Sequence, residues 1–97
     1  MATYIALASF TDQGVRTVKD TTKRADMVKE LGGKYGVNMK EIYWTLGQFD
    51  MVTVCEATDD AAIAAFGLAI GSAGNVRLQT SRAFSRDEMN GILKKLG

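Results

Sequence analysis

The order in which hydrophobic periodicity changes along the chain limits its fold more than any other feature. Tyr4 to Phe10 is a short apolar run in which Ile5 and Leu7 sit among Ala6 and Ala8, the pattern of a strand covered on both faces. Thr11-Asp12-Gln13-Gly14 follows with oxygens able to cap a helix. Val15, Val18, Thr22, Ala25, Val28 and Leu31 then recur at helical spacing, with a break near Asp20. Gly32-Gly33 and Gly36 are expected to end that helix, because glycine readily adopts the left-handed conformation of a helix terminus.

From Val37 to Leu46 the pattern alternates, with Ile42, Trp44 and Leu46 on one side and Glu41, Tyr43 and Thr45 on the other. Gly47-Gln48-Phe49-Asp50 reads as a tight hairpin into the β-branched run Met51-Val52-Thr53-Val54-Cys55. Thr58-Asp59-Asp60 opens a second helix that runs to about Ser72. Val76 to about Phe84 alternates again, and Ser85-Arg86-Asp87-Glu88 caps a final helix bearing Met89, Ile92, Leu93 and Leu96. This succession predicts an α+β fold: a ferredoxin-like βαββαβ arrangement with a four-stranded antiparallel sheet and a C-terminal helix.

Ninety-seven residues suit one domain, here 1–97, and a domain this small covers its core only partly. With 46% apolar residues, pairing with a second copy is the expected outlet, most simply as a homodimer. Twelve basic against 11 acidic residues give a net charge of +1, which provides no field for nucleic acid or a membrane surface. Arg16, Lys19 and Lys23 share a helix side, but Asp20 and Asp26 interleave with them. The Gly32-Gly33-Lys34 stretch lacks the spacing of a phosphate loop. Cys55 stands alone, so an internal disulfide or a cysteine cluster is excluded, and the start has no secretory pattern; a cytoplasmic protein is expected.

The chain contains no histidine, which removes Ser-His and Cys-His pairs, the usual zinc site and a proximal haem ligand. No metal or cofactor is expected. If Ile5, Leu7, Ile42, Trp44, Val52, Val54, Val76 and Leu78 face the helices, the other sheet face carries Tyr4, Tyr43, Thr45, Met51, Thr53, Cys55, Arg77, Gln79 and Ser81. Such a mixed face suits a small-ligand pocket or a subunit interface.

Within it, Arg77 could fix a carboxylate or enolate and Tyr43 could donate a proton, with Tyr4 and Thr53 as neighbouring ligand contacts. Asp50 is either a hairpin residue or a group at the pocket mouth, and Asp12 either a cap or a loop group bordering a site. Cys55 reads as a small buried hydrophobe. Gly67 and Gly71 would let the second helix lie close to a neighbour. Three functions follow as alternatives. The leading one is a homo-oligomeric small-molecule binder with its site on the sheet face or near the hairpin at residues 47–50. The others are a cofactor-independent oxygenase or isomerase, and an assembly or interaction module.

Thr11-Asp12-Gln13-Gly14, Tyr43-Trp44-Thr45-Leu46-Gly47, and Gly74-Asn75-Val76-Arg77 leading to Arg82-Ala83-Phe84 together resemble the GYD-domain family, in order and over nearly the whole chain. Gly47 and Asp50 match the naming tripeptide of that family, whereas Phe49 stands where tyrosine is usual. The resemblance implies a fold of the dimeric α/β-barrel type, in which two sheets face each other across a shared interior. It implies no settled activity and assigns no catalytic role.

Overall fold

The computed structural model describes residues 1–97. Strand β1 (Ala2–Phe10) leads into helix α1 (Asp12–Arg16), a 3-10 turn (Val18–Asp20) and helix α2 (Thr21–Tyr35). Strands β2 (Val37–Trp44) and β3 (Met51–Ala57), helix α3 (Asp60–Ser72), strand β4 (Val76–Ala83) and helix α4 (Arg86–Lys94) complete the chain. The strands form one antiparallel sheet in the order β2-β3-β1-β4, the expected ferredoxin-like topology.

Local chemistry accounts for the element ends. Thr11 caps α1 by accepting from the Gly14 N–H at 3.1 Å, Asp59 caps α3 by accepting from the Ala62 N–H at 2.8 Å, and Ser85 and Glu88 form a reciprocal capping box on α4. The break expected near Asp20 is the 3-10 turn. Helix α2, however, passes through Gly32 and Gly33 and stops only at Gly36, whose φ of 71° is left-handed. Gly32 is needed for a different reason: a Cβ there would lie 2.6 Å from the Val37 carbonyl oxygen, where the chain folds back into β2.

Helix α2 packs mainly on β2, and α3 on β4 with contacts to β2 and β3, so both lie on one face of the sheet. Tyr4, Val37, Met39, Cys55, Ala57, Ile63 and Phe66 form the buried cluster between the layers. This reverses the expected facing of β1 and β3. Tyr4, Ala6 and Ala8 of β1, and Met51 and Cys55 of β3, are buried toward the helices, while Ile5 is exposed and Leu7, Val52 and Val54 are only partly covered. The β1 run is apolar on both sides, so side-chain size suggested Ile5 and Leu7 for the core; the helix layer instead approaches the small residues Ala6 and Ala8.

On β2 the register shifts between Met39 and Glu41, a bulge that brings Ile42 and Trp44 onto the same face as Val37 and Met39. The strand ends at Trp44, so the connection to β3 spans residues 45–50 rather than a tight hairpin, and Leu46 projects into solvent. Helix α4 has no substantial packing against any other element, and the molecule extends 52 × 31 × 18 Å. No helix is long and apolar enough to cross a membrane.

Candidate functional site

The face of the sheet turned away from α2 and α3 carries a continuous apolar centre. Ile5 pairs with Val54 and Leu7 with Val52 across β1 and β3, and Tyr43 lies opposite Val52 on β2. Side chains directly opposite in an antiparallel ladder lie on one face about 5 Å apart, so these five make one patch. Glu41, Gln79 and Ser81 flank it on the outer strands. A second apolar strip runs along α4, where Met89, Ile92 and Leu93 recur on one side, and continues to Leu96 in the turn after it; Met89 and Leu93 are 44% and 48% exposed.

On the helix side, the sheet and helices α2 and α3 bound a half-open cavity of about 330 Å³ lined largely by apolar side chains. Its floor includes Ala6, Ala8, Met51 and Thr53, and its walls include Val28, Leu31, Phe66 and Ile70. The helices close on each other at one end, where the rings of Tyr35 and Phe66 are 6.1 Å apart. Thr21, Arg24 and Asn75 line the other end, where α2 begins and the chain leaves α3 for β4. The indole N–H of Trp44 donates to Thr21 Oγ1 at 3.0 Å on this rim.

A third cluster lies along β4. The Tyr4 hydroxyl donates to Asp60 Oδ1 at 2.5 Å, and that carboxylate pushes the phenol up from its ordinary pKa. The Arg82 guanidinium lies 5.8 Å from the Tyr4 ring centre and 4.6 Å from that of Phe84, and it pairs with Glu88 at 2.8 Å. The Ser85 N–H and the Arg82 guanidinium hold the Glu88 carboxyl below its ordinary value. Composition gave no signal for this cluster, because Tyr4 and Asp60 are far in the chain from each other and from the Arg82–Glu88 segment.

The six residues proposed from sequence do not form one site. Tyr4 and Arg77 border the same shallow depression beside α3 and β4, with Asp60 and Arg82. Arg77 is spent on structure there, donating to the Gly71 and Val76 carbonyl oxygens at 3.2 Å each. Thr53 faces the helices and lines the cavity. Tyr43 lies on the uncovered face with its hydroxyl donating to Glu41 at 2.5 Å, a contact that raises the phenol pKa. Asp50 fastens the hairpin to the end of β1: its carboxylate accepts from the Phe10 N–H and its own N–H donates to the Ala8 carbonyl, each at 2.8 Å. Asp12 opens α1 as a first-turn residue, and the cap is Thr11.

Tyr43 on β2 and Arg77 on β4 occupy opposite edges of the four-stranded sheet, about 14 Å apart at ordinary strand spacing, so one chain does not bring them to a common reacting group. Cys55 is a buried thiol whose pKa is pushed up by burial, the state of a packing residue rather than of a nucleophile. The close approach expected at Gly67 and Gly71 falls elsewhere, since a Cβ on Gly67 would meet only Leu78 at 3.9 Å and one on Gly71 would meet nothing.

Comparison with known proteins agrees with this architecture. A crystal structure of the Thermus thermophilus protein TTHA0845 superposes with a TM-score of 0.57 at 21% identity, covering 88% of this chain and 95% of that one. A Thermus thermophilus protein named "Glutamine synthetase and cystathionine beta-lyase binding protein" is 35% identical over 95 residues, spanning 97% of this chain and all of its own length. The family model for the GYD domain matches residues 4–93, and the chain belongs to the GYD-domain family.

Proposed function

We propose that this chain is a homo-oligomeric protein-interaction module, assembled through the uncovered face of its sheet. The observation that carries this reading is the patch of Ile5, Leu7, Val52 and Val54, which the chain's own helices leave open. Burying such a patch against a second copy is favourable at about 25 cal/mol per Å² of apolar surface removed from water. The strip on α4 offers a further apolar surface for protein contact. The relative named for binding glutamine synthetase and cystathionine β-lyase supports protein partners of this kind for the present chain as well.

The experiment pairs sedimentation velocity with capture of purified glutamine synthetase and cystathionine β-lyase on the immobilised chain. An oligomer that dissociates in an Ile5→Lys variant, together with saturable capture of either enzyme, is the expected result. A monomer at every concentration, with neither enzyme retained, would overturn the reading.

A second reading, small-molecule binding, is supported by the cavity between the sheet and helices α2 and α3. Its size and apolar lining are those of a small-ligand pocket, about 300–1,000 Å³ with a few polar groups. It lies on the opposite side of the sheet from the proposed interface, so the two readings are compatible.

A further inference from the structure

We infer that this cavity takes a linear aliphatic anion of medium chain length, with the hydrocarbon between sheet and helices and the anionic head at Arg24. The inference rests on the small-molecule reading above and adds the chemical class of the ligand.

The shape follows from where the small residues fall. Ala6 and Ala8 occupy successive inward positions of the central strand β1, and Ala25 on α2 and Gly67 on α3, which has no side chain, line the same cavity from the helix layer. Larger residues at the far end, Phe66 among them, close the space. The result is a slot closed at one end and apolar along its length. A methylene takes up nearly the same space as a water molecule, about 30 Å³, so a cavity of about 330 Å³ accommodates roughly ten carbons.

The charge of the head follows from Arg24. Its guanidinium donates to the Gly14 carbonyl oxygen at 3.0 Å and to the carbonyl and hydroxyl oxygens of Thr17, all neutral acceptors. The ion pairs of the chain are Lys40–Glu56 and Arg82–Glu88, so no carboxylate of the chain neutralises Arg24. These three hydrogen bonds fix the guanidinium beside α1, next to the end of the cavity that Arg24 lines, and two of its five N–H donors remain for a ligand. Arginine offers a carboxylate a planar fork as well as a charge.

Trp44 makes the test direct, because it is the single tryptophan and its indole is bonded to Thr21 on the rim. Decanoate and 1-decanol, each below its aggregation limit, are titrated into the protein by calorimetry and by Trp44 fluorescence. Decanoate is expected to bind once per chain and more tightly than decanol. Arg24→Gln should weaken decanoate by about tenfold, the scale of a lost charge-assisted hydrogen bond, and leave decanol unchanged.

Ala8→Leu and Ala25→Phe, which fill the slot from opposite walls, should weaken both probes. Ala25 lies on a partly exposed helix, so its variant keeps the test usable if Ala8→Leu fails to fold. Equal binding of the two probes, insensitive to Arg24→Gln, overturns the anionic head while the small-molecule reading stands. Neither probe binding, or a folded slot-filling variant binding both like wild type, overturns the cavity as the site.

Discussion

Ile5 of β1 and Val54 of β3 are direct cross-strand partners on the face of the sheet that no helix of the chain covers. Their immediate neighbours, Tyr4 and Cys55, are also partners, but on the buried side, each only 3% exposed. If Ile5 and Val54 are covered by a second copy, assembly is linked to folding and stability depends on concentration. The thermal midpoint is therefore expected to rise with protein concentration in calorimetry. A midpoint that does not move over a wide concentration range counts against assembly through this face.

A different kind of contact joins α1 to the turn before β4. A Cβ at Gly14 would run into the Asn75 carbonyl oxygen, a backbone atom that cannot swing aside. Thr11 fixes the same turn through its N–H to Asn75 and its hydroxyl to Gly74. Gly14→Ala should destabilise the fold by about 1–3 kcal/mol in urea denaturation, the usual range for overpacking. Gly71→Ala, on an open helix position, should be neutral or mildly stabilising.

Buried Tyr4 presents its hydroxyl to Asp60 at the start of α3. Tyr4→Phe keeps the ring in the core and removes only this hydrogen bond, so a small loss of stability is expected from denaturation. The phenol is the neutral partner of the carboxylate and its folded pKa is raised. Its contribution is thus fully present below about pH 10, the ordinary tyrosine value, and is lost as pH rises through the folded value. Ultraviolet titration should find Tyr4 and Tyr43 both ionising after a freely exposed tyrosine, and Tyr4→Phe should remove one tyrosine from that late phase and leave Tyr43 in it.

Glu88 has the opposite sign. The Ser85 N–H and Arg82 favour its ionised form, so its folded pKa is lowered and the stabilisation of α4 is present above the ordinary glutamate value, about 4.3. It is lost as pH falls through the folded value. Because α4 has little packing to hold it, the loss should appear as local fraying in amide exchange, with the rest of the sheet still protected. Glu88→Gln keeps the capping acceptor and should abolish most of the acid dependence.

The order of elements was legible because each change of period is bracketed by its own capping or glycine signal, as at Thr11, Gly36, Asp59 and Ser85. The facing of the central strands was not. Tyr4 to Ala8 and Met51 to Cys55 are apolar or β-branched at nearly every position, so alternation offers no choice of face and side-chain volume misleads. β2 does alternate, and Ile42 and Trp44 fell on the expected side once its bulge is included. The cavity left a trace only in the placement of Ala6, Ala8, Ala25 and Gly67, which acquires meaning when α2 and α3 are laid over β1. Asp50 and Arg77 could be named from residue type, but their hydrogen bonds to backbone groups depend on strand register.

The most direct test of assembly through the sheet is sedimentation equilibrium of the wild-type chain beside Val54→Lys and Leu68→Lys. Val54 is central to the uncovered face, whereas Leu68 is an exposed residue of α3 on the helix side. Wild type and Leu68→Lys should share an oligomeric mass, and Val54→Lys should give the monomer mass with its secondary structure retained. An oligomer that survives Val54→Lys unchanged would contradict the proposed interface.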